Sequence, residues 1–285
     1  MKIGILMDSS SGLTDELIKG TNISYIPLHI IINGEIDFLD TKKEHEKHDT
    51  YKIIADKGAV TTSQASPGEL IEKYQEMLEK YDHVIHLSIS PNLSGMYQTA
   101  VMVSNDDEFK GKVTVFEHYL AANVLKELAL KMNQMTQNEN LTIEDYKKEV
   151  NIWSKKSCSI VIPGDLDRLA SGGRAKSVLI SILKMLKTKV AIQWGEKPKK
   201  VGMGRTVASL YDKVVKAVKS TAGADCKLIF VYSPATSEKL IEQIRNKMNE
   251  VNISYTEEQI PSPFTCHAGV ETVGFLAIDK KLLAK

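Results

Sequence analysis

The chain has 285 residues, of which 42% are hydrophobic and 26% charged, and its net charge is +1 at pH 7. This composition is typical of a globular protein long enough for two domains, and it excludes a fibrous or disordered chain. No run approaches the roughly 18 apolar residues of a membrane span, and residues 1–7 do not form a secretion signal. Three scattered cysteines, Cys158, Cys226 and Cys266, do not form a disulfide framework. We therefore expect a cytoplasmic protein.

Apolar runs in the first half of the sequence predict strands that alternate with helices. We predict strands over residues 2–7, 23–32, 84–89 and 113–116, and helices from about residue 14, over residues 67–80, 97–103 and 121–135, and in a short stretch that ends near residue 57. This order predicts an α/β fold with a largely parallel sheet. In such sheets, ligands bind outside the carboxyl ends of the strands.

The second half begins near Ser157 and differs from the first half in charge. We predict strands over residues 158–162, 190–194, 227–232 and 253–260, and helices over residues 165–169, 178–186, 210–218 and 237–251. Residues 1–155 carry 16 Lys and Arg against 24 Asp and Glu, whereas the remainder carries 21 against 12. The sequence therefore predicts two α/β domains, residues 1–155 and 156–285.

Seven basic residues cluster in the second half and are opposed only by Glu196. They are Lys184, Lys187, Lys189, Lys197, Lys199, Lys200 and Arg205. A positive surface of this kind can meet phosphates, an acidic partner or anionic lipid head groups, or it can be a solvated face. Nucleic acid is not an expected partner, because aromatic residues make up only 6% of the chain and none alternate with the lysines.

Residues 60–69 combine three successive hydroxyl residues with a helix start. Ser66, Pro67 and Glu69 have the types and spacing of a capping box with proline at the first helical position. We interpret the hydroxyl triplet at residues 61–63 as a loop before the helix N-terminus, where its donors can hold a phosphate or a carboxylate. An ordinary Ser/Thr-rich loop is the alternative interpretation.

Two further polar loops follow predicted strands, one at residues 9–11 and one at Ser94-Gly95. Because parallel strands bring their carboxyl ends to one edge, we expect these loops and the triplet at residues 61–63 to share one rim. No nucleotide-binding, zinc-protease or serine-hydrolase motif occurs, and the dispersed histidines do not indicate a metal site. We therefore expect no cofactor and no catalytic residue.

His267 and Arg174 are the other candidate ligand-binding residues. His267 lies between a proline-rich turn and Gly269, where an imidazole can help to hold a carboxylate or can be purely structural. Arg174 follows two glycines and can clamp an anion or form an interdomain salt bridge. Cys266 beside His267 does not indicate a nucleophile and base, because neighbours on an extended segment point apart.

Several of these segments, spread in order over nearly the whole chain, together resemble the DegV family of fatty acid-binding proteins. The matching segments are Asp8-Ser9-Ser10, Thr61-Thr62-Ser63-Gln64-x-Ser66-Pro67-Gly68-Glu69, Ser94-Gly95-x-Tyr97-Gln98, Asp165-Leu166-x-x-Leu169-x-x-Gly172-Gly173-Arg174, Arg205 and His267. The resemblance implies two α/β domains with a long-chain fatty acid bound in the cleft between them. It also implies a non-enzymatic carrier that presents the fatty acid carboxylate to a separate ATP-dependent kinase subunit, which forms an acyl phosphate for bacterial phospholipid synthesis.

The resemblance assigns roles to individual residues of this chain. Thr62 and Ser94 would hydrogen-bond the carboxylate, Gly95 would allow close backbone approach, His267 would join that network, Arg174 would lie nearby, and Arg205 would face the kinase or its nucleotide. The apolar residues Val178, Leu179, Ile182, Leu183 and Leu186 are candidate tunnel lining, with ordinary core as the alternative.

This sequence departs from the family pattern at three places. Thr188-Lys189 stands where a Lys-Pro pair is usual, Glu117-His118 stands where an Asp-Ser pair is common, and residues 268–272 replace a glycine-rich turn. An enzyme that acts on a small anionic substrate in the same cleft, with His267 as general acid or base, is the alternative function.

Overall fold

A computed structural model describes residues 1–173, 188–250 and 254–283, in which the strands form three sheets. The strands are β1 (Ile3–Asp8), β2 (Ile23–Ile26), β3 (His29–Ile32), β4 (Ile36–Leu39), β5 (Val60–Ser63), β6 (His83–Leu87), β7 (Val113–Val115), β8 (Ser157–Ile162), β9 (Lys189–Trp194), β10 (Lys199–Gly204), β11 (Cys226–Tyr232), β12 (Tyr255–Gln259) and β13 (Val273–Asp279). The helices are α1 (Asp15–Ile18), α2 (Lys42–Lys47), α3 (Thr50–Ala55), α4 (Pro67–Leu78), α5 (Met96–Ser104), α6 (Asn123–Met135), α7 (Ile143–Lys156), α8 (Leu166–Ser171), α9 (Tyr211–Ala222), α10 (Glu238–Glu250), α11 (Ser262–Ala268) and α12 (Lys280–Leu283). Within these described residues no helix is long and apolar enough to cross a membrane.

The first sheet is parallel throughout and has the strand order β2-β1-β6-β7. Strand β1 is buried along its whole length, because helices cover both of its faces. Leu6 packs with α4 and α5 on one face, whereas Ile5 and Met7 pack with α6 on the other. The predicted α/β fold with a largely parallel sheet is therefore confirmed.

The second sheet has six strands in the order β10-β9-β8-β13-β11-β12, and its neighbours are antiparallel except for β11 and β12. Helices α9 and α10 pack on one face, and α6 and α7 pack on the other. Because α6 also covers the parallel sheet, the two sheets share one hydrophobic core. The domain division between Lys155 and Lys156 falls one residue before the end of α7 and stays a prediction.

The third sheet, with strand order β4-β3-β5, differs from the sequence prediction. The single strand predicted over residues 23–32 is two strands that belong to different sheets and are separated by Pro27 and Leu28. Proline has no backbone N–H to donate to a ladder, which favours a break at this point. The hydroxyl triplet at residues 61–63 is part of strand β5 rather than a loop, because β5 pairs with β3 over a buried apolar cluster.

Residues 262–268 form helix α11, whereas the sequence suggested an extended segment. Pro263 occupies the first turn of this helix, where a missing N–H costs nothing. The helix ends at Gly269 with φ 86°, and a Cβ there would lie 2.8 Å from the Cβ of Asp165. Glycine is therefore required at this position. The helix predicted over residues 178–186 lies outside the described residues.

Ala122 has an unusual backbone conformation just before α6, with φ 55° and ψ −144°. This region favours glycine, and holding a residue with a Cβ there costs about 1–3 kcal/mol. The conformation is fixed on both sides, because Ser159 Oγ donates to the carbonyl of Ala121 at 3.1 Å and Asn123 Nδ2 donates to Glu258 at 2.6 Å.

We expect Ala122→Gly to raise the free energy of unfolding by about 1 kcal/mol, since relief of strain exceeds the entropy that glycine loses on folding. Urea denaturation measures the change. The matched control is Ala129→Gly, which lies in the interior of α6 and is expected to cost about 1 kcal/mol or more. Equal destabilisation by both substitutions would contradict the strain at Ala122.

Candidate functional site

A cavity of about 70 Å³ lies among β5, α8, α11 and the loop that follows β6. One water needs only about 10–15 Å³ of such space, so the cavity is larger than a single water site. Most of its lining is apolar: Leu28, Ile89, Leu93, Val161, Pro163, Leu169, Trp194, Pro263, Phe264 and Ala268. The polar lining residues are Thr62, Ser63, Gln64, Ser94 and His267.

Thr62 and His267 form a hydrogen bond of 2.7 Å between Thr62 Oγ1 and His267 Nε2, across 205 residues of sequence. Side chains alternate along a strand, so Thr62 faces inward and is partly buried, while Thr61 and Ser63 are exposed. A turn of helix α11 brings His267 to the same point. Both ends of this pair can exchange hydrogen bonds with a ligand oxygen.

The Thr62–His267 pair lies where the apolar cavity meets a second, polar cleft of about 630 Å³. Thr62 and His267 line both spaces, and the polar cleft is also lined by Lys57, Asp165 and Arg168. Lys57 Nζ donates to Asp165 Oδ2 at 2.5 Å across the cleft. A ligand with an apolar body and a polar head would match this change of lining at the pair.

Ser94 and Gly95 lie at the start of α5, and Ser94 lines one side of the cavity. Ser94 Oγ accepts a hydrogen bond from the backbone N–H of Met96 at 3.2 Å, an arrangement that leaves the hydroxyl hydrogen to donate elsewhere. A Cβ on Gly95 would lie 3.0 Å from Oε1 of Gln64, whose Nε2 donates to Thr99 at 2.6 Å. The small residue at position 95 therefore lets β5 and α5 approach closely.

The predicted capping box of α4 is confirmed, and it changes the interpretation of the helix N-terminus. Ser66 Oγ accepts from the backbone N–H of Glu69 at 3.3 Å, and Glu69 Oε2 accepts from the N–H of Ser66 at 2.7 Å. Partial burial alone would raise the pKa of Glu69, but hydrogen bonds from Ser66 and the contact with His29 lower it. The protein's own carboxylate thus occupies this helix N-terminus.

Asp40 joins three segments beside the cavity. Its Oδ2 accepts from Ser9 Oγ at 2.5 Å, its Oδ1 contacts His45 Nε2 at 2.6 Å, and its Oδ1 also accepts from Ser262 Oγ at the start of α11. The polar loop at residues 9–11 therefore contributes to the support of α11. The described lining of the cavity includes Thr62 and Ser94 but no residue of this loop.

Asp8 at the end of β1 fastens the neighbouring loop. Its Oδ2 accepts from the backbone N–H of Ile89 at 2.5 Å, and its Oδ1 accepts from the backbone and hydroxyl of Ser10. Burial raises the pKa of the Asp8 carboxyl, and the hydrogen bonds from Ser10 and Ile89 oppose that shift. Ile89 lines the cavity, so Asp8 stabilises its wall without contacting it.

The remaining predicted site residues do not line the cavity or lie outside the described part of the chain. Arg205 is exposed at the bend after β10 and lines neither the cavity nor the polar cleft. The others lie outside the described residues: Arg174, Val178, Leu179, Ile182, Leu183 and Leu186. Across the described ranges, no group of three or more His, Cys, Asp or Glu side chains is arranged to hold a metal ion.

Cys266 and His267 are neighbours on helix α11, so the extended geometry expected for them is wrong. Cys266 instead packs into the apolar cluster beneath β3 and β5. Burial raises the pKa of its thiol, which disfavours the reactive thiolate.

Two residues at which the sequence departs from the family pattern, Lys189 and His118, are buried or partly buried. Lys189 Nζ donates to the carbonyl of Gly164 at 3.1 Å, and burial lowers the pKa of this lysine.

His118 is buried, and neither of its ring nitrogens makes a hydrogen bond of normal geometry within the described residues. Burial lowers the pKa of His118 to about 4, and a weak contact with the Ser88 backbone opposes the shift. Burial and the nearby His118 lower the pKa of His86 to about 3.

The fold and the site define an α/β protein with an apolar cavity that opens at a hydroxyl–imidazole pair. The DegV family, described as one of uncharacterised proteins, matches residues 2–280, and the chain belongs to this family. A Thermotoga maritima protein named fatty acid-binding protein is 28% identical over 289 residues, covering 96% of this chain and 97% of the relative.

Two solved structures show the same fold. A fatty acid-binding DegV family protein from Thermus thermophilus is similar with TM-score 0.82 and 24% identity, and the match covers 98% of this chain and 99% of that one. A stearic acid-binding protein from Eubacterium ventriosum is similar with TM-score 0.83 and 19% identity, covering 99% and 100% of the two chains.

We expect the protein to lose stability as the pH falls from 6.5 toward 4, because of His86 and His118. The unfolded chain takes up protons below its histidine pKa, whereas the buried rings stay neutral until their lowered pKa values are reached. Each ring removes about 1.4 kcal/mol of unfolding free energy per pH unit in that window. Urea denaturation at several pH values measures this slope.

His118→Gln is expected to reduce the slope of the unfolding free energy against pH by about 1.4 kcal/mol per pH unit, since it removes one titrating group. The difference between the two proteins cancels the titrating groups that do not interact with His118; His86, whose pKa His118 helps to lower, is not among them. An unchanged slope in the variant would show that His118 is not buried as a neutral ring.

Proposed function

We propose that this protein binds a long-chain fatty acid, with the acyl chain in the apolar cavity and the carboxylate at Thr62, Ser94 and His267. The observation that carries the proposal is the position of the Thr62–His267 pair, at the point where the apolar cavity meets the polar cleft. Gly95 allows the backbone to come close to the carboxylate in this arrangement. Arg174 is proposed to lie near the same group.

The apolar tail would supply most of the affinity. Burial of a methylene yields about 0.8 kcal/mol, so a chain of roughly 16 carbons gains on the order of 10 kcal/mol before entropy losses. A hydrogen bond to a charged carboxylate adds about 1.5–3 kcal/mol. The polar residues would therefore set which end of the ligand faces the cleft more than how tightly it binds.

The polar cleft would make the carboxylate accessible to another protein. We propose that a separate kinase subunit with ATP approaches through this cleft and converts the carboxylate to an acyl phosphate for phospholipid synthesis. This chain would then act as a non-enzymatic carrier formed of two domains. Lys199, Lys200 and Arg205 are exposed or partly exposed near β10 and are proposed to face the kinase, with transient contact to an anionic membrane during loading.

The alternative is an enzyme with His267 as general acid or base. The neighbouring thiol of Cys266 is buried and its pKa is raised, so it does not supply a nucleophile. The hydrogen bond between His267 and Thr62 also suits a role in holding a ligand.

We expect organic extraction of protein purified from bacterial cells to release a long-chain fatty acid, detectable by mass spectrometry. Thr62→Val keeps the shape and strand preference of the side chain but removes the hydroxyl. It is expected to weaken fatty acid binding about tenfold or more, because one hydrogen bond to a charged group is lost. Titration with a fluorescent fatty acid measures the change.

The control is Thr256→Val, which alters an exposed strand residue of β12 away from both spaces and should leave the affinity unchanged. A protein that yields no fatty acid, even after incubation with one, would overturn the proposed ligand. Equal affinity in the Thr62 variant would overturn the proposed position of the carboxylate.

We expect acyl phosphate to form only when the kinase subunit, ATP and this protein loaded with fatty acid are combined. Ser94→Ala is expected to lower the yield, since one carboxylate contact is lost. Trapping of the acyl phosphate with hydroxylamine measures it. Turnover by this protein alone that disappears in His267→Ala would instead support the enzyme alternative.

A further inference from the structure

The guanidinium of Arg168 bonds to three backbone carbonyls rather than to a carboxylate. Nη1 donates to the carbonyl oxygens of Val60 and Cys266, each at 3.3 Å, and Nη2 donates to that of Gly58 at 2.6 Å. Arg168 lies on α8, whereas its acceptors belong to the approach to β5 and to α11. One side chain therefore links two segments that are remote in sequence.

These two segments carry the pair at the mouth of the cavity. Thr62 follows Val60 by two residues on β5, and His267 follows Cys266 directly on α11. Arg168 Nη1 sets the distance between the carbonyls of Val60 and Cys266. This distance in turn limits the distance between the side chains that follow them, Thr62 and His267.

The position of the guanidinium is itself fixed. The backbone N–H of Arg168 donates to Asp165 Oδ1 at 3.0 Å, which caps α8. The backbone N–H of Asp165 donates to the carbonyl of Ala268 at 2.7 Å, so α8 is also tied to the end of α11. Lys57, just before Gly58, bonds to the other oxygen of Asp165 at 2.5 Å.

We propose that Arg168 is a positioning residue that sets the distance and orientation of Thr62 and His267, and through them the grip on a carboxylate. The consequence for the ligand rests on the proposed function, whereas the effect on the pair does not. Arginine suits this role because its planar fork offers several donors in a fixed geometry. Lysine keeps the charge but offers only one nitrogen.

The residues that carry the three carbonyls line the polar cleft together with Arg168, so removal of the arginine side chain would open space beside them. Water can therefore replace the guanidinium as donor when the side chain is removed, and the fold is not expected to collapse. What water cannot replace is the rigid link, so the loss should appear in the geometry of the pair.

The experiment compares wild type with Arg168→Ala, and adds free guanidinium at millimolar concentration as a replacement for the lost group. In protein without ligand, nitrogen NMR of the His267 ring reports its hydrogen bond to Thr62. We expect the ring signals to shift in the variant and to return toward the wild-type position with guanidinium. Fatty acid affinity should fall about tenfold or more and be partly restored by guanidinium, as expected for charge-assisted bonds.

Arg245→Ala is the matched control, because the guanidinium of Arg245 donates to carboxylates on α10 and β12, away from the Thr62–His267 pair. It should change neither the His267 signals nor the affinity, with or without guanidinium. If Arg168→Ala does not fold, Arg168→Lys decides. Reduced affinity and shifted His267 signals in a folded lysine variant support the proposal, and wild-type behaviour overturns it.

Wild-type affinity and unchanged ring signals in Arg168→Ala would overturn the proposal. Lowered affinity with unshifted signals would also overturn it, because the loss would then not act through the pair. A wild-type protein that binds no fatty acid would overturn the proposed function alone, since the NMR comparison in ligand-free protein still tests the positioning.

Discussion

The site depends on one hydrogen bond, between Thr62 on β5 and His267 on α11. Neither element belongs to the parallel sheet, and each is held against the rest of the molecule by different contacts. The apolar cluster beneath β3 and β5 includes Cys266, so burial presses α11 against this small sheet. Asp40 then fastens the start of α11 through Ser262, and the backbone of Asp165 fastens its end.

The two spaces that meet at this bond differ in their lining, which matters for what the protein can do. Mostly apolar side chains line the cavity, whereas charged side chains such as Lys57, Asp165 and Arg168 are among those that line the cleft. An apolar cavity alone would hold a lipid in either direction, since burial of methylenes has no orientation. A polar cleft alone would compete poorly with water for a small anion. Their junction gives a ligand one favourable direction, with its charged end against donors and within reach of solvent.

Local signals in the sequence predicted some parts of this structure well. A short stretch of sequence predicts two features, the capping box at Ser66 and Glu69 and the buried strand β1, because each depends on neighbours within a few residues. The local sequence of residues 61–63 favours a loop, because the strand character of this triplet comes from pairing with β3, about thirty residues away. Helix α11 was missed because prolines open it and its length is only seven residues. The hydroxyl triplet, Ser94 and His267 stand out in the sequence by residue type, and the family resemblance singles out Thr62 within the triplet. No residue type reveals the role proposed for Arg168, because its acceptors are backbone carbonyls.

The contacts at the site join residues that are far apart in the sequence, and this separation affects the order of folding. Thr62 meets a partner 205 residues later in the chain, and Asp40 meets Ser262 across 222 residues. Closing loops of this length costs entropy that only a largely assembled core can offset. Synthesis proceeds from the N-terminus, so the parallel sheet is complete long before His267 has been added. The mouth of the cavity is therefore among the last features to form, and a ligand that enters it would act on a protein whose core is already folded.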